Sequence, residues 1–207
     1  MNDAFAQLLT GLAAALPDSS GIRRPRGGRR AGVLMLFTDE ADPRVTVIER
    51  AITMRRHAGQ VAFPGGAMEP TDPTIIDAAL REAQEEVGLD HRLVRVIGEL
   101  PAAWVAASNF DVTPVIGVWD GSVELWPADP REVGAVHSLQ VSRLVDPAAR
   151  VRSRHPGGYV GPAFLAGELF IWGFTAHLLD EALELAGWAR PWDASVVVDV
   201  PDRFLRD

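Results

Sequence analysis

Gly65-Gly66-Ala67-Met68-Glu69-Pro70-Thr71-Asp72-Pro73, continued at Arg81-Glu82-Ala83-Gln84-Glu85-Glu86-Val87-Gly88-Leu89, is the stretch on which the fold of this chain turns. Helical spacing puts Glu82, Glu85 and Glu86 at i, i+3 and i+4, so three carboxylates share one face. Ile76, Leu80, Ala83 and Val87 fall on another face and can bury against a sheet. The predicted helix runs from Pro73 to Val87, with Asp72 as its cap, Pro73 at the first helical position and Gly88 as its stop. Like charges on adjacent turns repel by a few tenths of a kcal/mol per pair, and a divalent cation removes that cost. Carboxylate oxygens are the ligands that Mg²⁺ prefers. Arg81 can fix one carboxylate, most simply Glu85 at i+4. Pro64-Gly65-Gly66 allows a tight turn whose backbone can approach an ion closely. A solvent-facing acidic patch is the plain alternative for the helix taken alone.

Outward from this helix the chain alternates strand and helix signals. Ala31 to Phe37, Arg44 to Glu49, Leu93 to Glu99, Val112 to Trp119 and Gly134 to Leu139 are predicted strands, with a short extended piece at Val61 to Phe63. Phe174 to Ala186 is helical by periodicity and Gly187 ends it. The expectation is an α/β protein with mixed strands and helices in one layered domain. Ala4 to Leu16 carries apolar residues at helical intervals, and Gly21 to Arg30 holds Arg23, Arg24, Arg26, Arg29 and Arg30 among glycine and proline. Residues 1–30 are therefore read as a helix with an arginine-rich arm, a linker or a contact to phosphates or a partner subunit. Residues 31–190 form the main domain, and 191–207 an extension packing on it, with Val196 to Val200 as a candidate edge strand.

The 207 residues suffice for a core without covalent staples, and cysteine is absent, which removes disulfides and thiolate ligands. With 28 acidic against 20 basic residues the net charge is −8, which argues against broad adhesion to nucleic acid. The apolar stretch from Tyr159 to Leu179 carries Glu168 and His177 and reads as core, not as a membrane span. The N-terminus does not read as a secretory signal, so the expected location is cytoplasmic.

Arg81 through Leu89 resembles the second half of the Nudix box, in which Arg-Glu is followed by an aliphatic or small residue, any residue, Glu-Glu, any residue, Gly and an aliphatic residue. The first half departs, with Asp72 where the box has glutamate and eight residues before Arg81 in place of seven. This variant looks like the coenzyme A diphosphatase branch of the family. The run His57-Ala58-Gly59-Gln60-Val61-Ala62-Phe63-Pro64-Gly65-Gly66 resembles the motif that precedes the box there, and Arg55 matches its arginine. In the region where that motif has Leu-Leu-Thr, two further residues and Ser, this chain has Thr46-Val47-Ile48-Glu49-Arg50-Ala51. Asp111 to Gly117, Glu132-Val133 and Ile171 to Ala176 are similar to further segments of the branch.

The resemblance implies a Nudix fold, mixed β-sheets sandwiched between α-helices, and hydrolysis of a diphosphate bond with Mg²⁺ or Mn²⁺. It implies Gly65, Glu82, Glu85 and Glu86 as the metal set, with Glu85, Arg81 and Glu132 in catalytic roles. It implies Arg55, Arg56, His57 and Phe63 as substrate contacts. The expected substrate is a small nucleoside diphosphate derivative, coenzyme A or an acyl-CoA. Other such derivatives (ADP-ribose, NADH, dinucleoside polyphosphates, nucleoside triphosphates) and a non-catalytic binding module on the same fold stand as alternatives. Trp104, Phe110 and Trp119 are read as core before adenine contacts. A homodimer built through the N-terminal arm is left open.

Overall fold

The computed structural model describes residues 25–106 and 108–205. The predicted helix at Ala4 to Leu16, Arg23 and Arg24 lie outside the described residues. Strand β1 (Arg29–Thr38) begins two residues before the sequence pattern predicts, and β2 (Arg44–Arg50) follows the turn at residues 39–43. Two short pieces, β3 (Val61–Ala62) and β4 (Gly65–Ala67), lead to helix α1 (Ile75–Val87). Then come β5 (Arg95–Glu99), β6 (Ala103–Val105), β7 (Phe110–Trp119) and β8 (Val133–Gln140). A short helix α2 (Val141–Leu144), the strands β9 (Arg150–Arg154), β10 (Val160–Ala166) and β11 (Leu169–Ile171), helix α3 (Gly173–Leu185) and β12 (Val197–Asp199) complete the order.

The larger sheet runs β3-β2-β1-β7-β5, with β4 on β1, β6 on β7 and β8 on β2. Its centre is the parallel pair β1 and β7, in register from Arg29 opposite Phe110 to Thr38 opposite Trp119. Both faces of β1 are covered, which is why Leu34 to Phe37 is one continuous apolar run. Leu34 and Leu36 point to the α1 side with Ile48, Ala83, Val87 and Val115. Met35 and Phe37 point to the α3 side with Val47, Ile116, Leu179 and Leu183. The sheet is thus held between two helices, as the resemblance implies. A second sheet, β11-β10-β9-β12, carries its own small core of Val151, Ala163, Phe170, Val200 and Phe204.

Two local predictions are corrected, and one unit lies outside the predicted elements. Thr74, not Asp72, caps α1: it accepts from the Asp77 amide while Asp77 reaches back to the Thr74 amide, so the reciprocal cap holds the helix start two residues later than Pro73. Leu93 lies in a 3-10 turn, His91–Leu93, that Asp90 caps through the Arg92 amide, which delays β5 to Arg95. The antiparallel strands β9, β10 and β11 have no sequence prediction, because Arg150-Val151-Arg152-Ser153-Arg154 reads as polar although Arg150 is buried against Phe164 and Trp192. Among the described residues no helix is long and apolar enough to cross a membrane.

Candidate active site

Helix α1 presents its acids to the turn that precedes it. Ala79, Ala83 and Val87 anchor the helix on the sheet, and the three glutamates then take different environments. Glu86 is 4% exposed, and the Gly65 N–H donates to its Oε2 at 2.8 Å. Glu82 lies against Gly66 so closely that a Cβ there would fall 2.5 Å from the carboxyl carbon. Only glycine lets the backbone come that near the acid. Glu85 is the outermost of the three, its side chain 58% exposed.

Arg81 organises this group. Its guanidinium donates to both Asp72 oxygens at 3.0 and 3.1 Å, to Glu82 Oε1 at 3.0 Å, to Glu85 Oε2 at 3.0 Å and to the Ala67 carbonyl at 3.1 Å. Asp72, expected as a helix cap, instead locks Arg81, and the Arg81 guanidinium together with the Glu69 amide holds its carboxyl below the usual range. Arg81 therefore orients two acids and the glycine turn. The bond to Glu85 is the one its i+4 spacing predicts.

Burial pushes the Glu86 carboxyl up to about 7; the Gly65 amide and Arg50 oppose the rise, while Glu82 and Glu132 add to it. Burial likewise raises Glu82, with Glu85 and Glu132 contributing. Glu132 therefore stands within electrostatic reach of both acids although it comes from the loop before β8. Its backbone carbonyl accepts from the Ala51 amide at 2.8 Å, which ties that loop to the end of β2. Arg50, which was not singled out from the sequence, has its Nε buried without a hydrogen-bond partner. Strand alternation carried one step beyond Ile48 would have placed it on the α1 face.

The remaining candidates divide. Arg55 and Arg56 are exposed on the loop between β2 and β3. His57 there takes a left-handed conformation, φ 57°, with Nδ1 3.1 Å from Gln60 Oε1. Phe63, expected to meet substrate, is 4% exposed and packs in the core, so that expectation is corrected. Trp119 is buried as well, while Arg26 covers the Trp104 ring at 4.4 Å and Arg29 the Phe110 ring at 5.1 Å.

Among the described residues no three acids or histidines already converge as a ligand shell. The contacts explain it: Arg81 draws Glu82 and Glu85 to itself, and the Gly65 amide holds Glu86. The donor set nevertheless suits a hard divalent cation, since all its donors are oxygens and the buried Glu86 carboxylate stands within electrostatic reach of two other acids. One consequence is measurable. Glu86 takes up a proton on folding between its ordinary value near 4.5 and about 7. Metal-free protein should therefore lose stability, on the order of 3 kcal/mol, as pH rises through that window. Urea unfolding between pH 5 and 8, with and without Mg²⁺, checks this; added cation should flatten the slope.

A glycine turn facing acids on one helix, on a mixed sheet between two helices, is an oxygen-donor arrangement suited to a divalent cation beside a phosphoric anhydride. The NUDIX domain model matches residues 28–159, and the chain belongs to the Nudix family. It is 39% identical over 160 residues to the Nudix hydrolase NudL of Salmonella paratyphi B, covering 74% of this chain and 80% of that one. Among solved structures it resembles a Nudix hydrolase from Nitrosomonas europaea, with a TM-score of 0.51 and 12% identity over 86% of this chain and 82% of that one. It also resembles a MutT/nudix family protein from Enterococcus faecalis, with a TM-score of 0.50 and 15% identity over 89% of this chain and 74% of the other. The protein is thus a Nudix hydrolase acting on a diphosphate bond of a small nucleotide derivative, and enzymes of this family generally use divalent metal ions.

Proposed function

We propose that this enzyme hydrolyses the diphosphate of coenzyme A or acyl-CoA, giving 4'-phosphopantetheine or its acyl form and adenosine 3',5'-bisphosphate. The observation that carries the proposal is the segment Arg55 to Gly66. Its sequence resembles the motif of the coenzyme A branch, and it begins beside Ala51, whose amide is bonded to the loop of Glu132. Arg55 and Arg56 are exposed on that loop, and a substrate with a diphosphate and a separate 3'-phosphate needs such cations.

When bound, Mg²⁺ or Mn²⁺ would neutralise the diphosphate oxygens and lower the pKa of the attacking water. Glu82 and Glu86 would hold the ion with the Gly65 turn, and Arg81 would keep Glu82 in place. Glu132, or Glu85 at the exposed edge, would take the proton of the attacking water. Water adds to phosphorus, the bridging P–O bond breaks and its electron pair leaves with the second phosphate. Arg55, Arg56 and His57 would attract the 3'-phosphate.

The test is a panel of CoA, dephospho-CoA, ADP-ribose, NADH and dGTP with products identified by mass. CoA should give the highest kcat/KM, and Arg55→Ala should raise KM for CoA about tenfold more than for dephospho-CoA. Equal effects on both would remove the phosphate contact, and preference for another member of the panel would replace the substrate.

A further inference from the structure

Glu49 and Arg50 are neighbours on β2 and point to opposite faces of the sheet. Arg50 faces Glu86, whereas Glu49 opens into a cleft of about 730 Å³ on the α3 side. The loop of residues 51–60 wraps this strand end and borders both places: its first amide is bonded to Glu132, and Met54, Ala58 and Gly59 line the cleft. We infer that this cleft receives the uncharged arm of the substrate, the amide-bearing pantetheine chain and any acyl group on it. The inference rests on the coenzyme A reading of the site.

The chemistry of the walls supports this occupant over the nucleotide end. Met54, Val61, Leu139, Leu169, Phe170 and Phe204 supply apolar surface. Phe170 and Phe204 are stacked on one another, with centroids 6.4 Å apart and planes 12° apart. Of the charged groups at the cleft, Glu49 and Glu168 repel phosphate, and the Arg203 guanidinium lies over the Phe204 ring at 4.7 Å. An acidic rim on an apolar floor is unsuited to a bisphosphorylated adenosine, which the arginines of the loop suit. Glu49, with its Oε2 3.4 Å from His137 Nε2, can accept from an amide N–H of the arm. The volume falls in the range of sites that enclose a small molecule.

The C-terminal segment gains a role in this arrangement. Strand β12 pairs with β9, and the turn Asp202–Phe204 after it closes one end of the cleft. The Gln60 side chain donates to the Phe204 carbonyl at 3.1 Å, joining that turn to the loop that carries His57.

Two measurements test the assignment. Leu169→Trp, which fills the cleft, should lower kcat/KM for octanoyl-CoA at least about tenfold relative to a matched diphosphate whose arm is a methyl group. Because tryptophan can unsettle the β10 to β11 hairpin, the unaltered protein provides the second measurement. With methionine methyl groups labelled with ¹³C, S-octanoyl pantetheine alone should shift the Met54 signal and leave that of Met35, buried in the core, in place. If CoA is hydrolysed but Leu169→Trp affects both substrates equally and Met54 does not respond, the cleft assignment is overturned and the substrate stands. If the wild-type enzyme leaves CoA and octanoyl-CoA intact, both fall together.

Discussion

Glu86→Gln lowers turnover at least about a hundredfold and leaves the fold intact, with the loss in kcat and little change in KM. The reason lies in what the substitution spares. Glu86 is buried, its carboxyl is held up near 7, and the Gly65 N–H donates to it at 2.8 Å. A glutamine oxygen accepts that same bond, and the neutral amide carries no charge to desolvate. What is lost is one negative charge where a divalent cation must be gripped while phosphorus is attacked. Circular dichroism and thermal unfolding of the metal-free variant should match or exceed the wild type, because the destabilising acid is gone. A variant that unfolds early would assign Glu86 a structural part instead.

The adjacent glycines separate stability from chemistry. Gly65 has φ 154°, and a Cβ there would lie 2.3 Å from the Gly32 carbonyl oxygen and 2.6 Å from the Val33 Cα, both backbone atoms of β1. Gly65→Ala is therefore expected to cost about 3 kcal/mol or more, since β4 must move off β1 and the bond to Glu86 goes with it. At Gly66 the colliding group is the Glu82 carboxyl, at 2.5 to 2.6 Å, the far end of a flexible side chain. Gly66→Ala should then lose little stability but at least about tenfold in kcat/KM, because Glu82 swings away from the turn. Urea midpoints read against kcat/KM for the two variants distinguish these outcomes. Equal loss of stability in both would mean that the turn is only a packing device.

Much of this was legible in the residues because the signals were local. The i, i+3, i+4 spacing of Glu82, Glu85 and Glu86 and the stop at Gly88 marked the acidic helix, and the apolar run of Ala31 to Phe37 marked the central strand. What escaped depended on distant partners. Asp72 looked like a cap because it precedes Pro73, yet Thr74 and Asp77 cap each other and release it to lock Arg81. Phe63 belongs to a motif rich in functional residues, but its ring faces the core. Arg50 reads as a strand-end cation until the sheet places it opposite a buried acid on α1. The β9 strand hides behind its arginines because Arg150 is buried and ion-paired with Asp180 while it lies over Phe164 and Trp192. Pairwise charge contacts across the fold have no period for a sequence to display.

The central claim, that acids on α1 and the loop of Glu132 grip a divalent cation, is tested most directly by titrating Mn²⁺ into the protein and following free ion by electron paramagnetic resonance. Wild type should bind at least one Mn²⁺, and Glu86→Gln should weaken that site about tenfold or more. Equal binding by the two proteins, or none by the wild type, would contradict it.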